Sequence, residues 1–277
     1  MKVQFENKVM SSFLQFIDNK IVSEGDAYTN HGSNFYPVQN LYNGYYTYAA
    51  PYKQFVADSS VGGATVMNQI RIDGLVSAPG SNDFVGINHY EGQVYFSSDK
   101  SANTISGSYA VKDFNVYLTN DTEEKILFED KYHITPRTTQ SVSGLAPETQ
   151  TYPAIYLKNN GGENTPFALG GIDNNKMDIR AIVLADSSFK LDAVCGILKN
   201  TTKTYVPLVE DLPFNAMNAY TGVSYNYSTL SSAATGANPR IWDAFVSKNV
   251  TRGQGLNPGV FTAFVDFQLH HYWNPRA

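Results

Sequence analysis

Phe261-Thr262-Ala263-Phe264-Val265-Asp266-Phe267-Gln268-Leu269-His270 alternates with a period of two. Phe261, Ala263, Val265, Phe267 and Leu269 fall on one face, and Thr262, Asp266, Gln268 and His270 largely on the other. That period belongs to a β-strand, whose successive side chains point to opposite sides of a sheet. A strand with one apolar face is therefore expected over 259–272. Working outward, similar short segments punctuated by Gly, Asn and Pro recur along the chain. They predict strands over 45–56, 65–73, 84–96 with a turn near Glu91-Gly92, 107–119, 124–134, 152–158, 177–185 and 240–250. The expected fold is mainly β, an antiparallel sandwich or barrel, drawn as a single domain over 1–277.

Within 107–119 the alternation changes phase midway, and a β-bulge is the expected cause. Asn120-Asp121 then reads as a tight hairpin turn into the next strand. The chain carries 19 Tyr and 16 Phe. Their densest run is Phe35-Tyr36, Tyr42, Tyr45-Tyr46, Tyr48, Tyr52 and Phe55, where Asn43-Gly44 predicts a turn between an extended segment and a strand.

Two helices interrupt this pattern. Over 6–23, Val9, Phe13, Phe16, Ile17 and Ile21 recur at three- and four-residue spacing, Gly25 follows as a stop, and Ser12, Gln15, Asp18 and Asn19 fall largely on the other side. This amphipathic helix is expected to bury its stripe on its own sheet or to dock on a neighbouring subunit. Over 187–199, Leu191, Val194, Cys195 and Leu198 form one face behind a cap at Asp186, Ser187 or Ser188. Residues 26–44 read as irregular. Residues 135–150 and 228–239 read as long low-complexity loops, either mobile or ordered by a partner.

Charged residues make up 16% of the chain, below the roughly 25% of an ordinary soluble domain. Polar surface must come from Asn, Ser, Thr, Gln and Tyr, which are cheap to desolvate against protein or sugar. A net charge of −5 lacks the general electrostatic footprint of nucleic-acid binding. The single cysteine, Cys195, rules out an intrachain disulfide framework and a cysteine-based zinc site, and reads as an inert buried thiol. No stretch approaches the roughly 20 apolar residues of a membrane span, and no signal-peptide core follows Met1.

No phosphate loop, His-Glu-x-x-His or Gly-x-Ser-x-Gly motif occurs. His270 and His271 are neighbours in a strand, so they point to opposite faces and cannot share a metal in regular geometry. His31 reads as a loop residue, and His89 and His133 as packed or surface histidines. Asp173-Asn174-Asn175 with Asp178 could hold calcium, but a turn of Asx hydrogen bonds explains the same residues. A glycan hydrolase would need two carboxylates at a set separation, and nothing pairs Asp58, Glu91 and Asp243. No catalytic, cofactor or metal residue is assigned, and no cofactor is expected.

Phe13-Leu14-Gln15-Phe16-Ile17-Asp18-Asn19, the stretch Asn43-Gly44-Tyr45-Tyr46-Thr47-Tyr48-Ala49-Ala50-Pro51-Tyr52-Lys53-Gln54-Phe55-Val56, and Ile179-Arg180-Ala181-Ile182-Val183-Leu184-Ala185-Asp186-Ser187 carry a resemblance. In style, across most of its length, the chain resembles a virion structural protein of a tailed bacteriophage. The type is that of the neck or head-to-tail joining region: connector, stopper or tail terminator. The resemblance implies a non-enzymatic ring subunit around the DNA channel, made in the host cytoplasm and resident in the virion. Its partners would be copies of itself and other virion proteins, with no sequence-specific nucleic-acid binding and no membrane. Phe13, Phe16, Ile17, Tyr45, Tyr46, Tyr48, Tyr52 and Trp273 are the interface candidates. The alternative is a carbohydrate-binding β-sandwich, a lectin or adhesion module, in which Tyr45, Tyr46, Tyr48 and Trp273 stack on sugar.

Overall fold

The structure, a computed structural model, describes residues 5–39, 41–128, 152–166, 172–209, 223–234, 238–248 and 260–273. Of these residues 44% are strand and 21% helix, so the chain is mainly β. In order the elements are α1 (Phe5–Gly25), β1 (Tyr28–Pro37), β2 (Tyr46–Ala49), β3 (Ile70–Ile72), β4 (Leu75–Ser77), β5 (Phe84–Asn88), β6 (Gln93–Phe96), β7 (Ile105–Lys112) and β8 (Asn115–Leu118). There follow α2 (Glu123–Phe128), β9 (Ala154–Pro166), β10 (Asp173–Ala185), α3 (Ser188–Lys199), α4 (Tyr227–Ser232), β11 (Arg240–Ser247) and β12 (Phe261–Trp273). The sequence drew one domain. Within it the chain clusters into two compact units: Met1–Asp26, Phe114–Asp211 and Leu230–Ala277 form one, Ala27–Asp113 and Leu212–Thr229 the other.

The second unit is an antiparallel sheet in the order β4-β3-β7-β1-β2-β6-β5. β1 serves two neighbours, β7 along Tyr28–Phe35 and β2 at Tyr36 and Pro37. The short segment 54–56 then nearly closes the sheet into a barrel. On one side Gln54 N donates to Tyr90 O (2.9 Å) and Phe55 N to His89 O (2.7 Å). On the other, Val56 N donates to Ala110 O (2.8 Å) and Lys112 N to Gln54 O (3.0 Å). Closure pairs backbone groups that an open sheet leaves exposed at its edge. Inside, Phe55 lies flat on Tyr109 with ring centroids 3.9 Å apart, among Phe35, Phe84, Phe96 and Ile105.

The first unit is a five-stranded sheet, β11-β12-β10-β9-β8, antiparallel except for the parallel pair β8–β9. α3 packs against β10, β11 and β12, and α1 against α3 and β8. Ala263, Val265, Phe267 and Leu269 are buried, and Phe13 meets Phe267 edge-on at 5.1 Å. On the opposite face, Ile182, Leu184 and Tyr156 pack with Ile126 and Leu127 of α2. That double covering explains the unbroken apolar run of β10.

Several expectations are corrected. The phase change within 107–119 is no bulge: β7 ends the barrel ladder, Asp113 N donates to Ala27 O (3.0 Å), and β8 starts in the other sheet with Asn115 N on Pro153 O (2.9 Å). Residues 28–37, read as irregular, form β1, so His31 is a strand residue stacked on Tyr52 at 4.4 Å. The described part of 124–134 is helix α2, with Thr122 Oγ1 accepting from Lys125 N (3.3 Å), so Asn120-Asp121 does not turn a hairpin. Asp173, Asn174, Asn175 and Asp178 lie in β10 and build no Asx turn. Of 228–239, the first part belongs to α4. The stretch 135–150 lies outside the described residues. The polar side of α1 is not a solvent face: Ser11, Ser12, Gln15 and Asp18 are buried with the apolar stripe, and Ser12 Oγ accepts from Val209 N (3.1 Å).

Candidate functional site

The aromatic run folds into a tight hairpin. Asn43 and Gly44 take φ of 50° and 83°, the left-handed conformations of a two-residue turn, which Asn and Gly adopt at least cost. Tyr42 N donates to Tyr45 O (3.0 Å) and Tyr45 N to Tyr42 O (2.9 Å), which brings these tyrosines opposite each other. Below them Val38 N donates to Thr47 O (2.9 Å), continuing the pairing toward the barrel. Tyr42 stacks on Tyr95 with centroids 5.5 Å apart and planes 24° apart.

The outer part of this hairpin is apolar and exposed. Tyr36 (57%), Leu41 (56%) and Tyr42 (58%) stand well out of the surface, together with Val38, Tyr45 and Tyr46. The two-residue turn sets the backbone and the stack on Tyr95 holds Tyr42, which lowers the ordering cost of an interface here. Tyr pairs a broad apolar face with a hydroxyl at its rim, which suits it to protein contacts.

The predicted interface residues divide. Tyr45 and Tyr46 belong to this surface. Tyr48 does not: it is 2% exposed, its hydroxyl donates to Asp99 Oδ1 (2.9 Å) and accepts from Lys100 N (2.8 Å), and burial above all raises its pKa. Tyr52 is half-buried on His31. Phe13, Phe16 and Ile17 are core residues of the other unit. Trp273 ends β12, and its side chain lies outside the described set. Tyr36 and Tyr42 were read as part of the aromatic run but not as interface residues, and Leu41 was missed. Their proximity to Asn43-Gly44 was the available signal, since side chains near a two-residue turn have few neighbours to cover them.

The other chemically interesting residues are structural or dispersed. Asp58 is buried and its Oδ1 accepts from Ser60 N (2.9 Å), Ser60 Oγ (2.7 Å) and Tyr227 N (3.0 Å). Glu91 pairs with Lys53 at 2.8 Å, and Asp243 stands on the five-stranded sheet. His270 and His271 do point apart, one stacked on Trp242 (4.9 Å) and the other tilted against Phe5 (4.7 Å). Burial pushes the Cys195 thiol up to about 11, consistent with an inert residue. Ser187 is the cap of α3, accepting from Lys190 N (3.3 Å). Among the described residues no group of three or more His, Cys, Asp or Glu side chains is placed to hold a metal ion, and no helix is long and apolar enough to cross a membrane. No protein-family model matches the chain, and no curated protein matches it.

Proposed function

We propose that this chain is a non-enzymatic structural protein of a virion, a ring subunit of the neck or head-to-tail region of a tailed bacteriophage. In this role the tyrosine hairpin contacts a neighbouring copy. One observation carries the reading: an uncharged aromatic hairpin stands exposed on a nearly closed β-barrel. Exposed apolar clusters of this kind mark interaction surfaces. A ring also needs heterologous contacts, in which a projecting element on one copy meets a different surface on the next. A tight hairpin is suited to be that projecting element. The low charge of the whole chain supports the same reading, because surfaces poor in charge desolvate at low cost.

The test is the mass of the purified full chain across a concentration series, with negative-stain imaging, for wild type and for Tyr42→Ser/Tyr45→Ser. Closed rings that the double variant fails to form support the role. Rings that form equally well without the two tyrosines remove the hairpin from it. Of the four aromatic residues of the carbohydrate reading, Tyr48 is buried, while Tyr45 and Tyr46 are exposed.

A further inference from the structure

On the five-stranded sheet, the face opposite α1 and α3 is apolar near Ile182 and Phe264 and polar beyond Arg180. At the polar end one row crosses four strands. Asp243 of β11 pairs with Gln268 of β12, which pairs with Asp178 of β10. Asn160 of β9 lies alongside Asp178, where the β9–β10 register shifts between Met177 and Ile179.

Both ends of this row carry a β-bulge. β11 inserts Trp242 between the pairs Ile241–Leu269 and Asp243–Gln268. β9 inserts a residue opposite Asp178, using Gly161 at φ 94° and Gly162, where a Cβ would strike the Lys176 carbonyl. Bulges bend a sheet and re-aim side chains. Here they flank a shallow cleft of about 390 Å³ lined by Asn160, Asp178, Asp243, Gln268 and Phe245.

A hydrogen-bond chain along the same face organises the cleft. Asn174 Nδ2 donates to His270 Nδ1 (3.3 Å), His270 Nε2 donates to Gln268 Oε1 (3.1 Å), and Gln268 Nε2 donates to Asp178 Oδ1 (3.4 Å). This order fixes the amide of Gln268. Phe245 is 65% exposed, and Trp242 continues the aromatic surface one row on, flat against His270. Among the described residues neither Asp178 nor Asp243 has a cation partner. Arg180 and Asp266 also line the cleft, where the guanidinium is held by its bidentate bond to Asp266 (2.6 and 2.9 Å) and by Glu123 (2.7 Å).

We propose that this cleft binds a neutral saccharide. Carboxylates accept hydrogen bonds from hydroxyls, amides both donate and accept, and an exposed aromatic ring covers the apolar face of a pyranose. The volume lies within the range of small-ligand sites. Two carboxylates without cation partners repel an anionic sugar, and the charge of Arg180 is offset by Asp266 and Glu123. The site shares no residue with the tyrosine hairpin, so it stands or falls apart from the assembly role.

The test is a panel of neutral, sialylated and sulfated oligosaccharides presented to the full chain, followed by calorimetry with the best neutral probe. A neutral oligosaccharide is expected to bind with an affinity insensitive to salt. Phe245→Ala and Asp243→Asn are each expected to weaken it by about tenfold or more, while Leu75→Ser leaves it unchanged. Both site residues are exposed, and matching circular dichroism spectra and melting curves verify the folds. Failure of every neutral probe overturns the proposal. So does binding indifferent to both variants, or binding lost in Tyr42→Ala instead. Capture of oligolysine in place of sugar, abolished by salt, assigns the carboxylates to a cationic peptide and overturns it too.

Discussion

Gln15 sits in the middle of α1, 1% exposed, and neither atom of its side-chain amide has a hydrogen-bond partner among the described residues. A buried polar group left unpaired costs about 1–3 kcal/mol. Gln15→Met keeps the length of the side chain and removes both unpaired atoms. It is expected to raise the urea-unfolding free energy by about 1 kcal/mol, and a loss of stability would contradict the packing described for α1. His270 presents the opposite chemistry, a titratable ring kept neutral. Burial above all, then the charge of Lys176, with Lys203 adding, holds its pKa below the ordinary histidine value, while Asp178 opposes them. The unfolded chain therefore takes up a proton first. His270 thus leaves the fold undisturbed above the ordinary value of about 6.5 and destabilises it as pH falls from there through the folded value. Between about pH 7 and about pH 5, wild type is expected to lose more stability than His270→Gln. Equal losses would place the sensitivity elsewhere.

At the scale of elements, the hairpin depends on Gly44. At φ 83° a side chain is strained whatever space surrounds it, by about 1–2 kcal/mol. Gly44→Val is expected to lower the unfolding free energy by no more than that strain, because a Cβ at this position meets nothing within 4 Å. Amide exchange at Tyr42 and Tyr45 should nonetheless speed up, measured by NMR, and ring formation should weaken with it. Unchanged exchange would mean that the turn does not hold the tyrosines in place. The long elements were legible in the sequence: β12, α1 and α3 show their period, and β10 its unbroken apolar run. Hairpins with a glycine in the turn were also legible, as at Asn43-Gly44 and Glu91-Gly92. β1 was not, because Tyr28–Pro37 buries only Phe35 and so carries almost no apolar alternation. α2 has only six residues, too short for a helical period to outweigh its β-branched and aromatic neighbours. The polar side of α1 misled for a different reason. Ser and Gln near a tightly covered helix are read as solvent-facing unless the cover is known.

For the molecule as a whole, mainly β architecture with an N-terminal helix was readable from periodicity, and its division into two compact units was not. The only trace of that division was the phase change at Asp113-Phe114, which a bulge explains equally well in one dimension. The candidate sites show the same limit. Tyr45, Tyr46 and Tyr48 were named together as members of the aromatic run, yet Tyr45 and Tyr46 are exposed and Tyr48 lies in the core. The row Asp243–Gln268–Asp178–Asn160 joins four strands far apart in the chain, and no local pattern announces it. Two such surfaces that share no residue, one aromatic and one polar, are compatible with a protein that both assembles and recognises.

Assembly is the central claim, and particles from the native source test it most directly. Gold-labelled antibody against the chain, imaged on those particles, is paired with the mass of the chain recovered from them. The assembly role predicts label confined to one ring-like level of the particle and a recovered mass that is an integral multiple of the protomer. Particles without label, together with a chain that stays monomeric at every concentration, would contradict it.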